Sequence, residues 1–179
     1  RLDRNVFLFG MGLSFRLNTT KEVYVNFSQN YRAINFNDMQ VVNSNLVIDP
    51  LLKDENGFNI DLGFRGNHCN SIEFDLSLFY LNYSNRIGYL QKYYNPSSAP
   101  VPSLVWTSYR LSTNVGDSRT FGLESYISYT LFNRSEKKAI QSLNVFFNGS
   151  FQRGKYVSSE EVTIVGKEVE LNPKINAKV

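Results

Sequence analysis

Apolar and polar residues alternate along almost every patterned stretch of this chain. In residues 5–17, "NVFLFGMGLSFRL", Phe7, Phe9, Met11, Leu13, Phe15 and Leu17 share one parity, and Gly10, Gly12, Ser14 and Arg16 share the other. Period two places these sets on opposite faces of a strand. After a tight polar turn, "NTTK", Val23, Val25 and Phe27 oppose Tyr24, Asn26, Ser28 and Asn30. Phe58, Ile60, Leu62 and Phe64 then oppose Asn59, Asp61, Gly63 and Arg65. Beyond "GNHCN", Ile72, Phe74, Leu76, Leu78 and Tyr80 oppose Glu73, Asp75 and Ser77. Phe121, Leu123, Ile127 and Tyr129 oppose Gly122, Glu124, Tyr126 and Ser128. Leu143, Val145, Phe147 and Phe151 oppose Asn144, Asn148, Ser150 and Gln152. A last strand is expected from near Leu171 to Val179. Helical spacing is nowhere sustained, and "SEKKAIQSL" (135–143) reads as a connection. The pattern predicts an all-β chain of about seven strands.

The connections alternate in length. "NTTK", "GNHCN" and "FNRSEKKAIQ" are short to moderate, whereas 33–57, roughly 92–108 and about 155–170 are long. Such alternation puts every long connection at one end of the sheet. Membrane barrels are built this way, with short periplasmic turns and longer outer loops. A soluble sandwich tends to scatter its loop lengths. The polar face carries Arg16, Arg65, Glu73, Asp75 and Glu124, as a water-filled or plugged lumen does. The apolar face has no Lys or Arg in the middle of a strand, and Tyr31, Tyr80 and Tyr129 lie towards strand ends, where interfacial aromatics belong. Open edges are not tolerated in hydrocarbon, so the strands are expected to belong to a closed barrel. An odd strand count, an opening "RLDRNVFLFG" without Met and an ending "NAKV" without a terminal aromatic lead to the expectation of a piece of a larger barrel.

Composition removes several alternatives. A length of 179 residues suggests one domain. Aromatic residues make up 15% and charged residues 20%, which argues against disorder. The net charge of +3, with no basic stripe, gives no footprint for nucleic acid. No apolar run reaches the length of a membrane helix, but a barrel strand needs only about 9–11 residues. Cys69 is the single cysteine, so an internal disulfide is excluded, and the neighbouring His68 leaves a two-residue pair where structural zinc needs about four ligands. No cofactor is expected.

Two adjoining stretches are specific. "VYVNFSQNYRAINFNDM" (23–39) followed by "DPLLKDENGFNIDLGFRG" (49–66) resembles the TonB-dependent outer-membrane receptors. Their barrels carry a strand ending aromatic-Ser-x-x-aromatic-Arg, then a loop of the form N-P-x-L-K-x-E-x-x-x-N-x-E-L-G. Asp49, Pro50, Leu52, Lys53, Glu55, Asn59, Asp61, Leu62 and Gly63 fill those slots, with Asp61 where Glu is commoner. "FDLSLFYLNYSNRIG" (74–88), "NVGDSRTFGLESYISYTL" (114–131) and "VELNPKINAKV" (169–179) are similar to later family strands, in order. The resemblance is close to the branch that takes up ferric citrate and similar chelates.

The resemblance implies an antiparallel transmembrane β-barrel of roughly 22 strands closed by a plug. Residues 1–179 are then expected to form part of that barrel domain, without the plug and the remaining strands. It also implies a location in the outer membrane of a Gram-negative bacterium. Its partners would be outer-membrane lipid, the protein's own plug domain and, through that plug, the TonB–ExbB–ExbD system. Cargo would be a ferric chelate such as ferric citrate or a siderophore, transported as substrate and not held as cofactor. No enzyme activity is implied.

Within that frame the outer mouth is the place for ligand contact. Arg32 follows Asn26, Ser28 and Asn30 on the inward parity and opens a long loop. Arg110 shares parity with Asn114, Glu124 and Tyr126, unless Gly116 hosts a bulge that breaks the count. Two guanidinium groups suit an anionic, citrate-like chelate; pairing with loop carboxylates such as Asp38 or Asp54 is the competing role. Tyr93, Tyr94 and Trp106, in the second long loop, either anchor ligand or pack the loop. Glu73, Asp75 and Glu124 lie on separate strands without a nucleophile and read as lumen charges, not acid–base pairs. "GMG" (10–12) lacks the strand–loop–helix setting of a phosphate cradle. Two rivals remain: a small stand-alone outer-membrane barrel, and a secreted carbohydrate-binding β-sandwich.

Overall fold

The computed structural model describes residues 5–69, 71–94, 107–133, 142–170 and 172–179. It contains one sheet of eight strands: β1 (Gly10–Asn18), β2 (Lys21–Arg32), β3 (Leu46–Ile48), β4 (Glu55–His68), β5 (Ile72–Tyr94), β6 (Thr107–Asn133), β7 (Ser142–Ser158) and β8 (Ile175–Lys178). The order is β1-β2-β4-β5-β6-β7-β8, each neighbour antiparallel, and β3 joins β6 in parallel. β1 and β8 are free edges, so the sheet is open. No described helix is long and apolar enough to cross a membrane.

The period-two reading holds through the patterned stretches, with differences at strand ends and at one interruption within β5 and β6. β1 begins at Gly10, not at residue 5, although Phe9 still accepts a bond from the Gln29 amide at 2.9 Å. The last strand begins at Ile175, beyond the expected start near Leu171. The connection 33–57 holds structure of its own. A one-turn helix, α1 (Phe36–Met39), is closed by a reciprocal cap in which Asn35 Oδ1 accepts from the Asp38 amide at 3.1 Å and Asp38 Oδ2 accepts from the Asn35 amide at 2.9 Å. β3 follows it, and is the eighth strand that the alternation did not reveal. Trp106 and the connection at 134–141 lie outside the described residues.

β5 and β6 run further than their pattern suggested, because a double bulge breaks the alternation. Tyr83 pairs with Ser118, Arg86 with Gly116 and Ile87 with Asn114, so each strand takes an extra residue. Asn85 (φ +56°) and Gly116 (φ +150°) absorb the distortion; a Cβ at Gly116 would meet the Ser158 carbonyl. Tyr93 and Tyr94 are therefore strand residues paired with Ser108 and Thr107, not loop residues.

Burial is inverted relative to a soluble domain. Leu13, Phe15, Leu62, Leu78, Phe121, Leu123 and Phe151 are exposed, and the buried hydrophobic residues among those described are only Leu46, Val115, Tyr156 and Val169. A sandwich would cover the apolar face with a second sheet, whereas a lipid-facing wall leaves it bare. An aromatic row crosses this face, Phe9–Phe27 at 6.2 Å, Phe27–Phe58 at 5.9 Å and Phe58–Tyr80 at 6.0 Å. Phe64 and Phe74 make a second contact at 5.2 Å, about 20 Å of strand nearer the short turns. One such row and one such pair, at the two ends of the face, match the girdles that flank an outward apolar band.

The opposite face is polar and internally bonded. Tyr24 donates to Asp75 at 2.9 Å, Asn59 donates to Asp61 at 2.8 Å, and Arg65 pairs with Glu22 while lying 5.1 Å over the Tyr24 ring. Gly63 leaves space for that ring, which a Cβ would strike. Towards the short turns this face opens into a cavity of about 690 Å³ lined by Arg16, Glu22, Arg65, Glu73, Asp75 and Tyr126 among others.

Candidate functional site

At the other end, β7 leaves β6 after Ser158 while β5 and β6 continue as a two-stranded extension. Two such strands alone are marginal in water, and the vacated edge of β6 would be unpaired. β3 takes that edge. Leu46, Val47 and Ile48 pair with Arg110, Leu111 and Ser112; the Arg110 amide donates to the Asn45 carbonyl at 2.8 Å and the Asp49 amide to the Ser112 carbonyl at 2.9 Å.

The segment 33–54 thus forms a strap between β2 and β4 that reaches two strands further, to β6. Side chains secure it at both ends. Arg32, directly across from Glu55, donates to Glu55 at 3.0 Å and to Asp38 at 2.6 Å. Asp54 accepts from the Tyr31 hydroxyl at 2.5 Å and the Ile34 amide at 2.9 Å. Further along, Thr113 donates to Asp49 at 2.5 Å. Asn114 accepts from the Lys53 amide at 2.7 Å and donates to the Lys53 carbonyl at 2.9 Å. Donation by the Thr113 hydroxyl and then the Leu51 amide holds the Asp49 carboxyl below the usual aspartate value.

The double bulge inverts the parity of everything beyond it. Below it, even residues of β5 such as Phe74, Leu76 and Leu78 lie on the apolar face. Above it, Leu90 packs against the cluster of Val115, Tyr156 and Val169. Tyr156 shares its face with Gln152 and Gly154, the lumen side of β7. Tyr94, Tyr109 and Lys92 therefore lie on the lumen side of the extension. Tyr94 and Tyr109 meet edge to face at 5.9 Å, and Lys92 donates to Glu161 at 2.5 Å. That pairing holds the Glu161 carboxyl below its usual value. Tyr89, Gln91, Tyr93 and Arg110 occupy the outward side, with the Arg110 guanidinium 4.5 Å over the exposed Tyr89 ring.

The sequence-derived candidates thus separate into distinct places. Arg110 and Tyr93 share the outward face, a correction to the inward parity expected for Arg110, with the bulge at Gly116 as its cause. Tyr94 faces the lumen. Arg32 is engaged by Asp38 and Glu55, and Asp54 is taken up by Tyr31 and Ile34. The pattern did not single out Lys92, Tyr109 or Tyr89; a longer β5 with its parity reversed would have. His68 and Cys69 sit at the short-turn end, and among the described residues no three His, Cys, Asp or Glu side chains cluster to hold a metal.

Comparison with known proteins places this architecture. A family model described as "TonB dependent receptor-like, beta-barrel" matches residues 1–179. No curated protein sequence matches the chain. Among solved structures, one described as "Copper transporter OprC" is similar with a TM-score of 0.62 at 15% identity. The match covers 94% of this chain and 22% of that one, so the chain spans about a fifth of its length.

Proposed function

The chain belongs to the TonB-dependent receptor-like β-barrel family, and on that premise we propose that it forms part of the wall and outer mouth of a TonB-energised outer-membrane transporter. Members of this family are transport proteins, not enzymes. The observation that carries the reading is the two-faced sheet: a bare apolar side crossed by an aromatic row, a polar, hydrogen-bonded lumen side, and the structured connection 33–54 at one end. The apolar side meets outer-membrane lipid. The charged cavity at the short-turn end faces the plug domain, through which TonB, energised by ExbB–ExbD, acts.

The cargo in this reading is a ferric chelate such as ferric citrate or a siderophore, met at the lumen side of the extension by Tyr94, Tyr109 and Lys92. Tyrosine rings with polar tips suit a partly apolar ligand, and Lys92, paired with Glu161, borders them. Copper is a second reading, prompted by the name of the similar structure, but the likeness at 15% identity is one of fold. Among the described residues no three His, Cys, Asp or Glu side chains cluster to take bare metal. The test is titration of the purified full-length receptor with ferric citrate, a ferric hydroxamate and Cu(II), alongside uptake of labelled iron by cells with and without TonB. Saturable ferric-chelate binding and TonB-dependent iron uptake support the reading. Binding of Cu(II) alone moves the cargo to copper.

A further inference from the structure

We propose that the strap 33–54 is a brace that locks the double bulge of β5 and β6, and that Asp49, Thr113 and Asn114 are positioning residues for the lumen-side face of the extension. A double bulge interrupts the ladder and leaves backbone groups to be satisfied elsewhere, which makes it a natural hinge. Here side chains and the strap occupy those groups. Glu55 accepts from the Ile87 amide at 2.6 Å, Asn114 donates to the Asn85 carbonyl at 2.6 Å, and Asp117 accepts from the Asn85 amide at 3.0 Å. Asn114 also holds Lys53 by both its amide and its carbonyl, so one side chain joins the strap to the bulge.

Above the hinge, β3 adds the third strand that the extension would otherwise lack, and the Thr113–Asp49 bond closes its end. Ser112 and Thr113 are buried as a result, with Ser112 donating to the Asp38 carbonyl at 3.3 Å. On the far side of the extension Leu90 rests on Val115 and Tyr156. The extension is held from both faces, so the orientation of Tyr94, Tyr109 and Lys92 depends on the strap. Asp49, Lys53 and Glu55, which carry the sequence resemblance, are all pins of this brace.

The functional half of this inference rests on the chelate reading above; the mechanical half does not. The experiment uses the full-length receptor in a Cys69→Ser background, with spin labels at Gln91→Cys and Val157→Cys to report the distance between extension and β7. Thr113→Val and Asn114→Ala are compared with the unmodified positions and with Thr113→Ser, which keeps the hydroxyl. The expected result is a single narrow distance distribution in the unmodified receptor and in Thr113→Ser. In Thr113→Val and Asn114→Ala it broadens at least twofold, and the apparent Kd for ferric citrate rises about fivefold or more at an unchanged number of sites. A distribution that stays narrow in both variants overturns the brace whatever the cargo. Broadening without a change in Kd overturns the positioning role. If the unmodified receptor binds no ferric citrate, the cargo reading fails by itself, and the distance measurement still decides the brace.

Discussion

The Thr113 hydroxyl donates to the Asp49 carboxylate at 2.5 Å across a sequence separation of 64 residues. That bond joins the end of β3 to a buried position on β6, and it links a loop motif to the strand pair that continues beyond the double bulge. Hydrogen bonds to charged groups contribute about 1.5–3 kcal/mol. Valine has the shape of threonine without the donor. Thr113→Val is therefore expected to weaken docking of the strap by about that amount without unfolding the barrel. Limited proteolysis of intact cells checks this: cleavage within 36–53 should appear in the variant and be restored to the unmodified level in Thr113→Ser.

The same contact has a pH dependence. The folded-state pKa of Asp49 lies below the unfolded value, so its contribution is present above the unfolded pKa and is lost as pH falls through the folded one. Strap docking should hold from neutral pH to about 5 and loosen below about 4. Glu161, held low by Lys92, responds in the same direction, and Glu161→Gln separates the two. The measurement is the mobility of a spin label at Ser44→Cys during acid titration. Asp49→Asn should remove the transition.

Leu123 lies in the middle of the apolar face, exposed, next to the lumen-side Glu124. Arginine facing lipid near the midplane costs about 2–4 kcal/mol. Leu123→Arg should lower the unfolding free energy of the receptor in lipid vesicles by that amount. Glu124→Arg, one residue away on the lumen side, should change it little. Equal losses at the two positions would contradict the assignment of faces.

Gly63 and Tyr24 form a steric pair, since a Cβ at Gly63 would strike the Tyr24 ring. Overpacking of this kind typically costs about 1–3 kcal/mol. Gly63→Ala should destabilise by that amount, and most of the loss should vanish when Tyr24→Ala is added. A double-mutant cycle by denaturant unfolding measures the coupling.

Much of the wall was legible because each strand carries its own evidence. Leu76 and Leu78 alternate with Ser77 regardless of what their neighbours do, and the motif from Asp49 to Gly63 is contiguous. The site was less legible. Arg110 and Tyr94 sit beyond a bulge whose sequence trace is Gly116, and two extra residues reverse which side each faces. Arg32 has the same composition of neighbours whether it meets ligand or carboxylate; its engagement by Asp38 and Glu55 follows from how a distant loop folds back.

By itself the sequence determined that the chain is β, which residues of each strand share a face, and at which end the long connections lie. Those properties follow from the two-residue period of an extended backbone, a local rule. Only the tertiary structure decided that β3 pairs with β6, that Asp49 meets Thr113 and Glu55 the Ile87 amide, and that Tyr94, Tyr109 and Lys92 share one face of the extension. Those depend on register between strands far apart in sequence, and a single inserted residue moves a side chain to the opposite face while leaving the local pattern almost unchanged.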